Sequence, residues 1–397
     1  MNLSNKAKEI NPSITLEVTA KAKSLRDAGI DVISFTAGEP DFNTPENIID
    51  AAILAMKEGK TKYTPTNGIL ELRQAICDKF KKDNNLNYEV NQIVVSTGAK
   101  QALANSFLAI LNKGDEVIVP TPYWVSYPEL IKLADGIPVF VDNKKENDYK
   151  YSIEDLQKAV TSKTKAILLN SPNNPTGSIY TKEELIELAE FAKEHDLIII
   201  SDEIYEKLVY DEIELVSIAS ISEDAYNRTI VINGLSKSYA MTGWRVGYSA
   251  SNTQIAKLMS SIQSHMTSNV NSIAQYASIE ALIGNQDEIY SMIQEFRFRR
   301  DYMLKRLDNL QGTSYIMPRG AFYIMVNISE YFGKSIDEKV INSSLEFSKY
   351  LLDKERVAVI PGIAFGLDEY IRLSYATSKE HIETGLDRIE KFLNSIK

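Results

Sequence analysis

Residues 229–248 read TIVINGLSKSYAMTGWRVGY. The runs Thr229 to Ile232 and Trp244 to Tyr248 predict buried strands, and Gly234, Ser236 and Gly243 punctuate the connection between them. Lys237 therefore falls at a strand end. A lysine in that place becomes a nucleophile when its ammonium loses its proton, and burial or a neighbouring cation such as Arg245 favours that loss. Schiff-base chemistry follows naturally. For an isolated Ser-Lys-Ser the alternative is a solvated loop lysine.

The spacing decides between them. From Gly234 through Gly247 the order is Gly, apolar, Ser, Lys, two spacers, Ala, Met, a spacer, Gly, Trp, Arg, Val, Gly. This resembles the lysine-attachment signature of the class I pyridoxal-phosphate aminotransferases. The resemblance implies that Lys237 is the Schiff-base lysine and proton shuttle, and that Arg245 and Ser236 help to hold the cofactor's phosphate.

The bulk composition is that of an ordinary soluble globular protein. Its 397 residues exceed one ordinary core, and 44% apolar with 25% charged residues is the balance of a globular protein. A formal charge of -10 argues against a nucleic-acid partner. Met1 to Ile10 lacks an apolar leader core, and no run reaches the length of a membrane span, so a cytoplasmic protein is expected. Cys77, the single cysteine, is spaced from Leu72 and Phe80 as helix packing. His195, His265 and His381 have no metal-ligand spacing, and no metal is expected.

Short apolar runs recur along the chain, each ending in polar residues. Ile93 to Val95 leads into Ser96-Thr97-Gly98-Ala99-Lys100 and a helix expected from Ala102 to Leu111; a glycine turn before a helix start makes an anion site. Val117 to Val119 ends at Pro120-Thr121-Pro122, which is expected to leave the ladder and to present Trp124. Ala166 to Leu169 runs into a turn holding Asn174, followed by a helix with Thr181 and Glu184 spaced as a capping box. Leu197 to Ile200 leads to Asp202 and Tyr205. Strands alternating with helices and carrying polar residues at their carboxyl ends predict an α/β fold. The expected large domain, about 46–280, has a mostly parallel central sheet flanked by helices. Beyond it the pattern changes to a charged helix from Glu295 to Leu310 and strands at Gly320 to Val326, Val357 to Ile360 and Tyr370 to Tyr375. A smaller α+β domain is expected from 281–397 with the N-terminal arm, 1–45.

The resemblance runs essentially the whole length, with its motifs in family order. By it, Gly98, Ala99 and Lys100 cradle the cofactor, Trp124 stacks on its ring, Asn174 and Tyr205 donate to the ring oxygen, and Asp202 keeps the ring nitrogen protonated. Tyr63, in the loop Tyr63 to Gly68, reaches the phosphate of a partner subunit, so a homodimer with shared sites is implied. Gly38 lies against the substrate's α-carboxylate, with Trp124 and Asn174 beside the substrate, and Arg372 grips that carboxylate with a two-pronged hydrogen bond. Lys100, Ser13 and Thr15 resemble the group used for a distal carboxylate in the bacterial aspartate-specific branch. The expected reaction is ping-pong transfer of an amino group between amino acid and 2-oxo acid, from L-aspartate to 2-oxoglutarate. An aromatic or prephenate aminotransferase is the alternative, and a carbon-sulfur lyase a more distant one.

Overall fold

The computed structural model describes residues 1–397. Fifteen strands are formed. The main sheet uses β2 (Ile93–Ser96), β3 (Glu116–Thr121), β4 (Ile137–Asp142), β5 (Thr164–Asn170), β6 (Ile198–Asp202), β7 (Thr229–Gly234) and β8 (Gly247–Ala250), in the order β2-β8-β7-β6-β5-β3-β4. All its pairings are parallel except those of β8, which runs antiparallel to β2 and β7. Helices cover both faces, which explains why the central strands are apolar without alternation. Val94, Val117, Leu168 and Ile230 pack on one side, and Ile118, Ile167, Leu169 and Ile199 on the other. Each such fully buried side chain contributes about 1.5–3 kcal/mol.

A second sheet has the order β14-β15-β10-β9, antiparallel throughout, from β9 (Ser314–Tyr315), β10 (Tyr323–Asn327), β14 (Ile360–Pro361) and β15 (Tyr370–Ser374). Beside it lies a small hairpin of β11 (Ser335–Ile336) and β12 (Lys339–Val340). The N-terminal segment joins this part of the molecule: β1 (Ile33–Ser34) pairs in parallel with β13 (Val357–Ala358). No helix is long and apolar enough to cross a membrane.

Several local expectations are corrected. Pro120 and Thr121 remain in β3, because β4 supplies a parallel neighbour whose register includes both; β4 itself is half exposed and mixed in composition, which hid it. Trp244 to Val246 is not strand. Arg245 takes φ +56°, breaking the extended run so that β8 starts at Gly247. The helix after Gly98 starts at Ala99, and the charged helix spans Asp287–Leu307 rather than starting at Glu295. Val357 to Ile360 splits between two sheets. The capping box at Thr181 and Glu184 forms as expected, and Cys77 is buried in a helix packed beside Phe80.

Candidate active site

The carboxyl ends of β2, β3, β5, β6 and β7 meet at one edge of the main sheet, where a cavity of about 540 Å³ opens toward β10, β15 and the N-terminal segment. Lys237, Ser236, Asp202, Tyr205, Asn174, Trp124, Ala99, Arg245, Arg372, Gly38 and Thr15 all line it. Residues from both ends of the sequence thus converge on one space. Four of the sequence-predicted residues, Gly98, Lys100, Ser13 and Tyr63, lie outside its lining.

Lys237 sits in the loop after β7, and its Nζ donates to the Gly38 carbonyl at 2.5 Å. Burial lowers its pKa to about 8, with Arg245 and Arg372 pushing the same way and Glu39 and Asp202 opposing them. A larger fraction of it is therefore unprotonated near neutral pH than for an ordinary lysine, and it is the unprotonated amine that can attack a carbonyl. The rate at which apoprotein condenses with an added aldehyde cofactor is expected to rise with pH and to level off above about 8; a rise that continues to the range of an ordinary lysine, about 10.4, would refute an activated Lys237.

Asp202 ends β6 and is 3% exposed. Its Oδ2 accepts from the Tyr127 hydroxyl at 2.7 Å and its Oδ1 from the Ile204 N–H at 3.3 Å. Burial raises its pKa to about 6, against the pull of those two bonds and of Lys237. Asn170 holds the next turn in place: its Nδ2 donates to the Asp202 carbonyl at 2.9 Å and its Oδ1 accepts from the Asn174 N–H at 2.8 Å.

Arg372 and Arg245 enter the cavity without a carboxylate partner. Arg372, 3% exposed, donates to Asn174 Oδ1 at 3.0 Å and the Thr36 carbonyl at 3.3 Å, and its Nε has no partner. Its guanidinium lies over the Tyr323 ring at 4.2 Å, and the Tyr323 hydroxyl meets that of Tyr205 at 3.0 Å. Arg245 donates to the Thr242 carbonyl at 2.8 Å. It leans on Gly98, where a Cβ would come within 2.4 Å of its Nη2 and where φ is +79°. Gly247 is equally constrained, since a Cβ there would lie 2.2 Å from the Ala99 nitrogen. The two glycines let strand, arginine and the start of helix Ala99–Ile110 crowd into one cationic corner.

Behind the cavity lining, Lys100 Nζ stands 4.9 Å from the Trp124 ring centroid. The Ser13 and Thr15 hydroxyls meet at 2.8 Å, and Ser13 caps helix Ile14–Asp27. Tyr63 is 91% exposed. Sequence reasoning missed Tyr127, Tyr323 and Asn170. Asn170 closes an apolar strand just as Asp202 does, and that shared position was its available signal. Tyr323 faces the cavity from β10, paired in register with Ser374, a neighbourhood visible only once strands are paired.

A lysine amine sharing one cavity with the guanidiniums of Arg245 and Arg372, at the carboxyl edge of an α/β sheet, suits an enzyme class in which a lysine handles anionic carbonyl and amino compounds. The family model for class I and II aminotransferases matches residues 30–389. The chain belongs to that family. It is 50% identical to the aspartate aminotransferase of Bacillus sp. (strain YM-2) over 98% of this chain and 99% of that protein. It is 48% identical to a relative from Aquifex aeolicus named as a probable aspartate/prephenate aminotransferase, covering 99% of each. The solved aspartate aminotransferase of Rhizobium meliloti superposes with a TM-score of 0.97 at 39% identity over 100% of both chains.

Proposed function

We propose that this aminotransferase moves the amino group of L-aspartate to 2-oxoglutarate, giving oxaloacetate and L-glutamate, with pyridoxal 5′-phosphate attached at Lys237. The carrying observation is the presence of Lys237, Arg245 and Arg372 in one cavity, with both guanidiniums free of carboxylates. One arginine suits a phosphate and the other a substrate carboxylate. The names of the Bacillus and Rhizobium relatives support the choice of aspartate.

The residues fit the cofactor. Glycine at 98 keeps clear a corner that a Cβ would fill, and the buried Asp202 carboxylate has no cation bonded to it. In this reading Arg245, Ser236 and the backbone of Gly98 and Ala99 hold the phosphate, with Lys100 beside them. Trp124 flanks the ring. Asn174 keeps its amide N–H groups free for the ring oxygen because only its Oδ1 and backbone N–H are engaged, and the Tyr205 hydroxyl donates there while accepting from Tyr323. When bound, the cofactor condenses with amino groups and takes up the electron pair released at a substrate's α-carbon. Asp202, oriented by Tyr127, holds the proton at the ring nitrogen. Lys237 Nζ takes the substrate's Cα proton and returns it. Arg372 fixes the α-carboxylate against Gly38, and Lys100, Ser13 and Thr15 receive the distal one.

The test is a half-reaction: purified protein is mixed separately with aspartate, phenylalanine and arogenate, and loss of the bound cofactor's visible absorbance is followed. Fast conversion by aspartate alone is expected. The Aquifex relative's name favours a second reading, and equal conversion by arogenate would establish it. No bound chromophore would overturn the cofactor assignment.

The same proposal includes a cytoplasmic homodimer. Tyr63, outside its own cavity and 91% exposed, completes the partner's phosphate site. Mixing a Tyr63→Phe protein with a Lys237→Ala protein should restore one native site in each hybrid dimer; no recovery of activity after subunit exchange would refute sharing. We further assign 46–280 to a large domain and 1–45 with 281–397 to the arm and small domain, since the main sheet draws its strands from 93–250 and the second from 314–374.

A further inference from the structure

Gln263, on helix Thr253–Met266, is fully buried and makes four side-chain hydrogen bonds. Its Nε2 donates to the carbonyls of Thr66 at 2.8 Å and Val95 at 2.7 Å. Its Oε1 accepts from Ser96 Oγ at 2.6 Å and Asn105 Nδ2 at 2.9 Å. That is the full capacity of a primary amide. The partners belong to two separate pieces of chain. Val95 and Ser96 end β2 and feed the Gly98 turn, whereas Thr66 belongs to the loop that carries Tyr63.

Other contacts stiffen the same junction. The Val95 N–H donates to the Asn67 carbonyl at 3.1 Å. Gly68 sits at φ +100°, where a Cβ would come within 2.6 Å of Val95 Cγ2. From the far side Gln275, also fully buried, accepts from the Ile69 N–H at 2.8 Å and donates to Thr64 Oγ1 at 2.9 Å. A surface loop held this firmly by buried amides carries an exposed aromatic at a fixed place rather than sweeping it through solvent.

We propose that Gln263 is a positioning residue that locks the Gly98–Ala99 anion cradle of one subunit and the loop bearing its Tyr63 into a single unit, so that the two phosphate sites of a dimer are built on one shared register. The inference rests on the pyridoxal phosphate reading above. It adds a residue that touches neither cofactor nor substrate but sets where both subunits meet the phosphate.

The test uses the full-length protein with pyridoxal phosphate as probe. Gln263→Glu keeps the shape and the acceptors but removes both donors to Thr66 and Val95. The cofactor dissociation constant, the KM for aspartate at saturating cofactor and the melting temperature are measured for wild type, Gln263→Glu, Tyr63→Phe and the double variant. The cofactor dissociation constant should rise about tenfold in each single variant, the size of a lost buried hydrogen bond, and no further in the double. The KM should stay within about twofold, because the α-carboxylate seat at Arg372 is built from other elements. A lowered melting temperature with unchanged cofactor affinity, or losses that simply multiply in the double variant, would overturn the proposal. If Gln263→Glu does not fold, Gln263→Met decides on the same readouts. Wild-type protein that binds no pyridoxal phosphate would overturn the underlying reading as well, whereas tight wild-type binding with unaltered Gln263 variants would overturn this inference alone.

Discussion

Lys237→Ala is expected to lower turnover by about 10⁴-fold or more while the protein remains folded. The fold should survive because the side chain contributes one hydrogen bond, to the Gly38 carbonyl, and a partly buried amine whose charge burial already disfavours. Removing it costs at most about 1 kcal/mol of stability. The chemistry should not survive. No other lysine lines the cavity, so nothing in the variant can take over the anchoring and proton-transfer roles proposed for Lys237. Borohydride reduction of the loaded wild type followed by peptide mapping should place the cofactor on Lys237 alone. Label on another lysine, or normal turnover in the variant, would refute the assignment.

The second large effect is expected at Arg372. Arg372→Leu should lower kcat/KM by about 10³-fold for amino acid and oxo acid alike, since a buried charged fork on a carboxylate is worth about 2–5 kcal/mol. Arg372→Lys should recover little of this, because a single ammonium cannot reproduce the fork. The loss should appear in both half-reactions, with the cofactor still bound. An Arg372→Leu enzyme with ordinary KM values would move the α-carboxylate seat elsewhere, and Arg26, which also lines the cavity, would be the next residue to test.

Most of the main sheet was legible because its strands are buried on both faces and so read as uninterrupted apolar runs. β4 was not: its Ile137 and Phe140 are exposed, and only its pairing to β3 makes it a strand. The same limit governs the site. Lys237, Asp202 and Asn174 stand where an apolar strand gives way to a polar turn, a change that a single sequence displays. Tyr127 and Tyr323 owe their place to packing between elements far apart in the chain, and neither has a local pattern that marks it. The break at Arg245 was hidden for a different reason. A bulky residue with positive φ is costly, and here the surrounding contacts with Gly98 and Thr242 accompany that conformation.

The pairing of β1 with β13 bears on how the molecule is made. A ribosome delivers residues 33–34 long before their only strand partner, 357–358. Every strand of the main sheet has left the ribosome before that partner exists, so the large sheet can close while the arm still waits as unpaired chain. Once that partner has emerged, the Gly38 segment can be drawn over Lys237. The growing chain can assemble its main sheet first, but the cavity, which Tyr323 and Arg372 help to line, is completed only after those later strands emerge.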